Sequence, residues 1–271
     1  MTERELVTWI QKRAPQFGKR VTVSIGDDCA VYQPSSSEDL VFTTDFTIED
    51  RHFTWGTYKP IDAGYKALAR ALSDIAAMAA TPEFALVSLA ARDECTIKGF
   101  MEGIFQCAKE HSVTIAGGDL NKSERLHCDI TCAGRVPRNK AILRSGAKPG
   151  DFIYVTGPLG HWSKRPKPRF DLMDLLRKNA SAAMDLSDGL LMDLERLLVA
   201  SNVAANLTTA PQVQRGATLQ QAWQEGESYE LLFTSQQRLA LHSIGQIVAG
   251  DPGKITGENL PLQEAGWDPF R

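Results

Sequence analysis

Five aspartates, Asp27, Asp45, Asp74, Asp119 and Asp185, have the residue type and the setting to bind a hard cation. Four of them stand at or just after the end of an apolar, strand-like stretch, where a rigid scaffold presents its loops for chemistry. Glycines stand beside three of the acidic sites, at Gly26, Gly117-Gly118 and Gly189, and let a ligand come close to the backbone. The fifth, Asp74, lies in the helical stretch Gly64–Ala80, off the Leu68, Leu72, Ile75 and Ala79 stripe and beside Ala67, Ala71 and Ala77. On such a close-packed alanine face a carboxylate is costly to desolvate unless something positive meets it. Each aspartate alone also reads as a turn or solvated surface residue; the shared placement of five favours a metal-binding set.

Carboxylates that act together with substrate phosphates suit Mg²⁺. A softer metal finds little here: there is no His-Glu-x-x-His, and the five histidines are scattered. The chain also has no Gly-x-x-x-x-Gly-Lys-Ser/Thr loop and no protein-kinase signature. A nucleotide would therefore be held through Mg²⁺ on acidic side chains, with Gly117-Gly118 and Arg144 near its phosphates.

The elements that must position these residues follow from periodicity and turn chemistry. Thr2–Arg13 and Thr96–Glu110 read as amphipathic helices, and Thr81-Pro82 stops the Asp74 helix. Val21–Ile25, Leu40–Thr44, Val113–Ala116 and Leu126–Val136 read as strands, and Phe84–Ala91 as a buried one. Asp45 and Gly117-Gly118-Asp119 thus fall at strand ends. Lys148-Pro149-Gly150-Asp151 is a turn, followed by the strand Phe152–Thr156, the tight Gly157–Gly160 and an extended basic run, Lys164–Arg169. Asp185–Leu190 opens a further helix with Ser187 as its N-cap, and Tyr229–Thr234 and Ile244–Val248 are strands. Strands and helices interleave throughout, so the class is α/β or α+β, with a domain boundary near 138–148.

A net charge of −3 gives no basic footprint for nucleic acid or an anionic membrane. No apolar run reaches membrane-spanning length, and Met1–Ile10 lacks the apolar core of a signal peptide. The five cysteines form no Cys-x-x-Cys pair, which points to reduced thiols in the cytoplasm. Cys128 and Cys132 share a strand face with Leu126 and Ile130 and are read as core, not as zinc ligands.

Several motifs occur in order: Ile25–Ala30, Thr43-Thr44-Asp45, His52-Phe53, Leu72–Met78, Gly117-Gly118-Asp119, Leu143–Ala147, Asp185–Leu190 and Glu227–Phe233. In this set the chain resembles the thiamine-monophosphate kinases, of the superfamily that includes aminoimidazole ribonucleotide synthetase. The match is strong over residues 20 to 160 and broken beyond. The resemblance implies an N-terminal ATP/Mg²⁺-binding and dimerisation domain over 1–140, whose strands form a barrel shared with a second copy. It also implies a shortened C-terminal α/β domain over 148–271.

By the same resemblance Asp27, Thr43, Thr44, Asp45, Asp74, Asp119, Asp185 and Asp188 correspond to Mg²⁺ ligands, and Gly118, Asp119, Arg144 and Ser187 to ATP contacts. His52, Glu227 and Trp267 correspond to contacts with thiamine monophosphate. Asp74, Asp119 and Arg144 are the residues expected to carry catalysis. Where the family has Gly-Gly-Glu-Asp-Tyr-Glu-Leu this chain has Glu225–Leu231 with Ser228; a helical stretch after Gly160 is missing, and Leu120 follows Asp119. The expectation is a homodimeric kinase that makes thiamine diphosphate by direct in-line transfer. The alternatives are a non-catalytic nucleotide-binding protein and a superfamily enzyme with another acceptor.

Overall fold

The computed structural model describes residues 21–23 and 26–257 together with Glu5, Thr8 and Leu260. The expected helix over Thr2–Arg13, Glu5 and Thr8 apart, falls outside these residues, as does Trp267.

Two six-stranded sheets are formed by the described residues. The first holds β1 (Val21–Val23), β2 (Ala30–Tyr32), β3 (Glu38–Ile48), β4 (Thr81–Ala91), β5 (Thr114–Lys122) and β6 (His127–Pro137), in the order β1-β2-β3-β6-β4-β5. Its pairings are antiparallel except that of β4 with β5. Helices α1 (Pro60–Ala77) and α2 (Glu94–Glu110) belong to this half. Pro60 starts α1 with a φ already helical and no N–H to lose. Leu68, Leu72 and Ile75 of α1 join Val41, Val87, Phe100 and Ile130 in one core. Cys128 and Cys132 are fully buried in that core, as their strand face predicted, and all five cysteines are unpaired.

α1 is buried along almost its whole length and all round, the pattern of a helix with packing on every side. Arg70 and Asp74, one turn apart, are among its few partly exposed positions. Close packing against α2 is made through glycine: a Cβ on Gly64 would lie 1.8 Å from the Phe100 carbonyl oxygen, and one on Gly103 1.9 Å from that of Ile61.

Three strand expectations are corrected. Leu40–Thr44 is the middle of β3, which pairs with β6 from Glu38↔Pro137 to Ile48↔His127, so Asp45 sits inside a strand. Gly117-Gly118-Asp119 likewise lies within β5, held there by parallel pairing to Leu86, Val87 and Ser88. The apolar run of β4 is not buried on both faces. Ala85, Val87 and Leu89 point to the core, while Leu86 and Ser88 are exposed on the opposite face with Thr44 and Phe46 of β3.

The second sheet holds β7 (Phe152–Val155), β8 (Ala182–Asp185), β9 (Ala204–Leu207), β10 (Leu231–Ser235), β11 (Ser243–Val248) and β12 (Ile255–Gly257). Their order is β12-β9-β11-β7-β10-β8. Helices α3 (Met173–Asn179), α4 (Leu190–Ser201) and α5 (Leu219–Gln224) accompany it. A cluster of Ala77, Ala79, Ile142, Tyr154, Leu176 and Phe233 packs the end of α1 against this half. The end of β8 thereby comes beside α1.

Candidate active site

That junction brings three carboxylates together. Asp74 on α1, Asp185 at the end of β8 and Asp28 between β1 and β2 each offer an oxygen, and these atoms lie within 4.8 Å of one another. Burial, and then the charges of Asp185 and Asp28, push Asp74 well above the usual carboxylate range; burial and Asp28 do the same to Asp185. Burial raises Asp28 as well, against the pull of Arg144. Asp27, next in the chain, is raised to about 6 by burial and by the Asp28 charge.

Local partners fix the geometry of the trio. The Thr43 hydroxyl donates to Asp74 at 2.5 Å, and Arg144 donates through Nε to Asp28 at 2.6 Å and through its backbone N–H to Asp27 at 3.1 Å. Asp28 Oδ2 is buried with no hydrogen-bond partner. Three carboxyl groups held together, one oxygen orphaned and no imidazole or thiolate in the set: this donor chemistry fits a hard divalent cation, which would offset the cost of ionising them side by side.

Asp74 and Asp185 open into a cavity of about 460 Å³. Six carboxylates line it, those of Asp45, Asp74, Asp185, Asp188, Glu225 and Glu227, against the guanidinium groups of Arg51 and Arg70. Arg70 holds Asp45 at 2.9 Å and the Phe46 carbonyl at 3.0 Å. An anion such as a polyphosphate could enter this field only with cations of its own.

His52 also lines the cavity. Its Nδ1 accepts the Ile48 backbone N–H at 2.9 Å, which leaves the ring proton on Nε2. Burial and the neighbouring Arg70 and Lys66 charges lower its pKa to about 3, so the ring is neutral near pH 7. Lys66, 1% exposed, donates to Glu227 at 2.8 Å and to the Tyr58 hydroxyl and the His52 carbonyl, each at 3.2 Å. One buried ammonium therefore ties the His52 segment to the loop before β10. In that loop Gly226 passes so close to Ser187 that a Cβ would lie 2.3 Å from the Ser187 carbonyl oxygen.

The turn after β8 is not capped as the sequence suggested. α4 begins at Leu190 with Gly189 as N-cap, and Ser187 caps nothing. The buried Asp193 instead accepts the N–H groups of Ser187, Asp188 and Gly189 at 3.1, 3.0 and 3.2 Å. Its other oxygen takes Arg196 at 2.9 Å, and Arg196 also pairs with Asp188. Ser187 and Asp188 are thus held at the cavity with their amide groups already engaged.

Of the residues singled out in the sequence, Thr44, Asp45, His52, Asp74, Asp185, Ser187, Asp188 and Glu227 line this cavity. Thr43, Asp27 and Arg144 adjoin it through Asp74 and Asp28. Gly118 and Asp119 do not line it: both lie on the exposed edge strand β5. Thr44 bonds Asp129 at 2.6 Å on the same outer face as Asp119. Sequence reasoning missed Asp28, Lys66, Arg70, Trp162 and Asp193. The first four carried a signal: Asp28 adjoins Asp27, Lys66 and Arg70 fall eight and four residues before Asp74 on one helix face, and Trp162 occupies the shortened connection.

Comparison with known proteins shows which family the chain resembles in sequence and fold. Residues 26–136 match the family described as AIR synthase related protein, N-terminal domain. The thiamine-monophosphate kinase of Rhodopirellula baltica is 39% identical over 259 residues, 85% of this chain and 81% of that protein. The Bacillus subtilis thiamine-monophosphate kinase is 34% identical over an alignment of 326 positions spanning 100% of both chains. Among solved structures, AaThiL complexed with AMPPCP and TMP superposes with a TM-score of 0.87 at 26% identity, covering 99% of this chain and 97% of that one. With its two sheets and its acidic cavity, the chain belongs to the thiamine-monophosphate kinase family.

Proposed function

We propose that this site transfers the γ-phosphoryl group of ATP to the phosphate of thiamine monophosphate, yielding ADP and thiamine diphosphate. The observation that carries the reading is the convergence of Asp28, Asp74 and Asp185 beside a cavity that also holds His52 and Glu227, in a chain of this family. Asp27, Asp28, Asp74, Asp185 and Asp188 would hold Mg²⁺, with Thr43, Thr44 and Asp45 as further ligands and Asp119, outside the cavity on β5, only across the face that a second copy covers; when bound, it neutralises charge between donor and acceptor phosphates.

The chain's own groups have defined tasks. Arg144, its guanidinium on Asp28, presents a planar cation to the nucleotide's phosphates. Ser187 contacts the nucleotide at the cavity; Gly118, which lies outside it on β5, would do so only across the face that a second copy covers. The acceptor oxygen belongs to a phosphate that is already anionic near neutral pH, so transfer is direct and in line, with no protein base and no phosphoenzyme. His52 supports this: neutral, with Nδ1 occupied, it can offer only its Nε2–H to orient the acceptor. Glu227 also contacts the acceptor.

A second copy of the chain would cover the outer face of the first sheet, where Phe46 and Leu86 are exposed beside Thr44 and Asp119, closing a shared barrel. The units are 1–140 and 148–271, and the five unpaired cysteines suit the cytoplasm. Among the described residues no helix is long and apolar enough to cross a membrane.

The test is thiamine diphosphate formation by the purified protein with ATP, Mg²⁺ and thiamine monophosphate. Asp74→Asn keeps the shape of the trio and removes one charge, and should lower turnover at least about 100-fold with folding unchanged by circular dichroism. Near-normal turnover in the folded variant would defeat the assignment. ATP–ADP exchange without acceptor would defeat direct transfer.

A further inference from the structure

We propose that Trp162 is the wall on which the acceptor's positively charged heteroaromatic ring packs, and that it sets which acceptors the cavity takes. This rests on the kinase reading above and adds to it a specificity-determining residue.

Trp162 lines the cavity and is 43% exposed, an unusual state for an indole that is firmly held. One ring face stacks on Tyr58, with centroids 5.7 Å apart and planes at 21°. Tyr58 is buried, set edge-on to Phe53 at 6.1 Å, and its hydroxyl accepts from Lys66. The base under Trp162 is therefore fixed. The strand-free and helix-free segment that carries it is pinned beyond it as well: Lys164 donates to the Thr57 carbonyl, and Arg165 pairs with Asp62 at 2.8 Å while lying over Tyr65. An aromatic ring clamped on one face and still 43% exposed at the cavity is a preformed stacking surface.

The charge around it selects a cation. The cavity's six carboxylates, three of them already paired with Arg70, Arg196 and Lys66, outnumber its cations, and an indole face attracts positive charge more strongly than any other side-chain ring. Lys66 Nζ lies 5.8 Å from the Trp162 ring centre, but Glu227 neutralises it at 2.8 Å. A thiazolium ring would gain both stacking and cation–π attraction here; a neutral purine would gain the first only.

The experiment measures steady-state kinetics for wild type, Trp162→Ala and Trp162→Phe. The acceptors are thiamine monophosphate and an analogue in which an uncharged thiophene replaces the thiazolium. Trp162→Ala should raise the KM for thiamine monophosphate roughly tenfold, with kcat and the KM for ATP within about twofold of wild type. Trp162→Phe should recover most of that loss, and the wild-type preference for the charged over the uncharged acceptor should shrink in both variants. If Trp162→Ala does not fold, the loss of charge preference in Trp162→Phe decides the matter. An unchanged acceptor KM, or a rise in the KM for ATP instead, would overturn the proposal. A wild type that makes no thiamine diphosphate defeats the kinase reading and this one together; an active wild type with an indifferent Trp162→Ala defeats only this one.

Discussion

His52 binds a proton near pH 6.5 as a free side chain and only near 3 in the folded protein. Between those values unfolding takes up a proton, so this residue makes stability fall as pH falls. Asp27 acts in the opposite sense: held at about 6 against an ordinary 3.8, it binds its proton more readily in the folded state and stabilises that state as pH drops through this window. Replacing His52 with Asn, whose Oδ1 can accept the same Ile48 N–H, removes the His52 contribution and leaves that of Asp27 in place. The stability of His52→Asn relative to wild type should therefore rise by at most about 1.4 kcal/mol per pH unit from 6.5 down to 4.5, read from urea unfolding at each pH. The same variant should raise the acceptor KM with kcat largely kept, as expected for a positioning group. Loss of kcat, restored by added imidazole, would instead make His52 a base.

At this scale the sequence showed the site by residue type and company. Asp74 stood out because a carboxylate among alanines needs a reason, and Asp185 because it closes an apolar strand. Asp28 was hidden by Asp27: in an Asp-Asp pair, which carboxylate turns inward depends on backbone dihedrals that no pattern of residue types records. In the folded chain Asp28 joins the trio and Asp27 takes the Arg144 N–H.

At the scale of elements, α1 is the part on which everything else is hung, and its position is set by glycine. With a Cβ due 1.8 Å from the Phe100 carbonyl, Gly64→Ala must push α1 and α2 apart. It should destabilise the protein by about 3 kcal/mol, measured by denaturant unfolding, and should lower activity further because Asp74 rides on the displaced helix. A variant as stable as wild type would refute the close-crossing account. Helix α1 was legible because apolar residues recur at helical spacing. Of strand β5 only the start was legible, as Val113–Ala116; two consecutive glycines read as its end, and only its ladder to β4, a contact remote in sequence, carries it on through Gly117-Gly118-Asp119. The start of α4 was misjudged for a related reason. Ser187 has the residue type of a cap, but the buried Asp193, one turn into the helix, takes the amides first.

For the whole molecule, cover of the first sheet's outer face by a second copy has a direct measurement. Leu86 is 40% exposed in the single chain, so Leu86→Glu should not disturb the fold of one copy. If a second copy covers that face, light scattering should give twice the monomer mass for wild type and the monomer mass for Leu86→Glu. Asp119 would then lose its setting, and activity would fall with the dimer. An active monomer would remove both the shared barrel and any need for it. The mixed α/β class itself was foreseeable from interleaved strands and helices. Which edge stays uncovered was not, because it depends on the order in which distant strands pair.

The Lys66–Glu227 contact reaches across that architecture, between positions 161 residues apart. Each partner was made for the other's half: the ammonium is enclosed by the first sheet's helix and aromatic residues, and its counter-ion returns with the loop before β10. A gene cut between the two sheets would therefore not yield two independent modules. The first fragment would enclose a cation without its anion, a state that costs several kcal/mol unless the lysine sheds its proton or water reaches it. Circular permutants and fusions opened near residues 138–148 would escape this cost only if both pieces stay in one chain or reassemble tightly. Swapping the second half for that of a relative would succeed only where a carboxylate comes back to the same place.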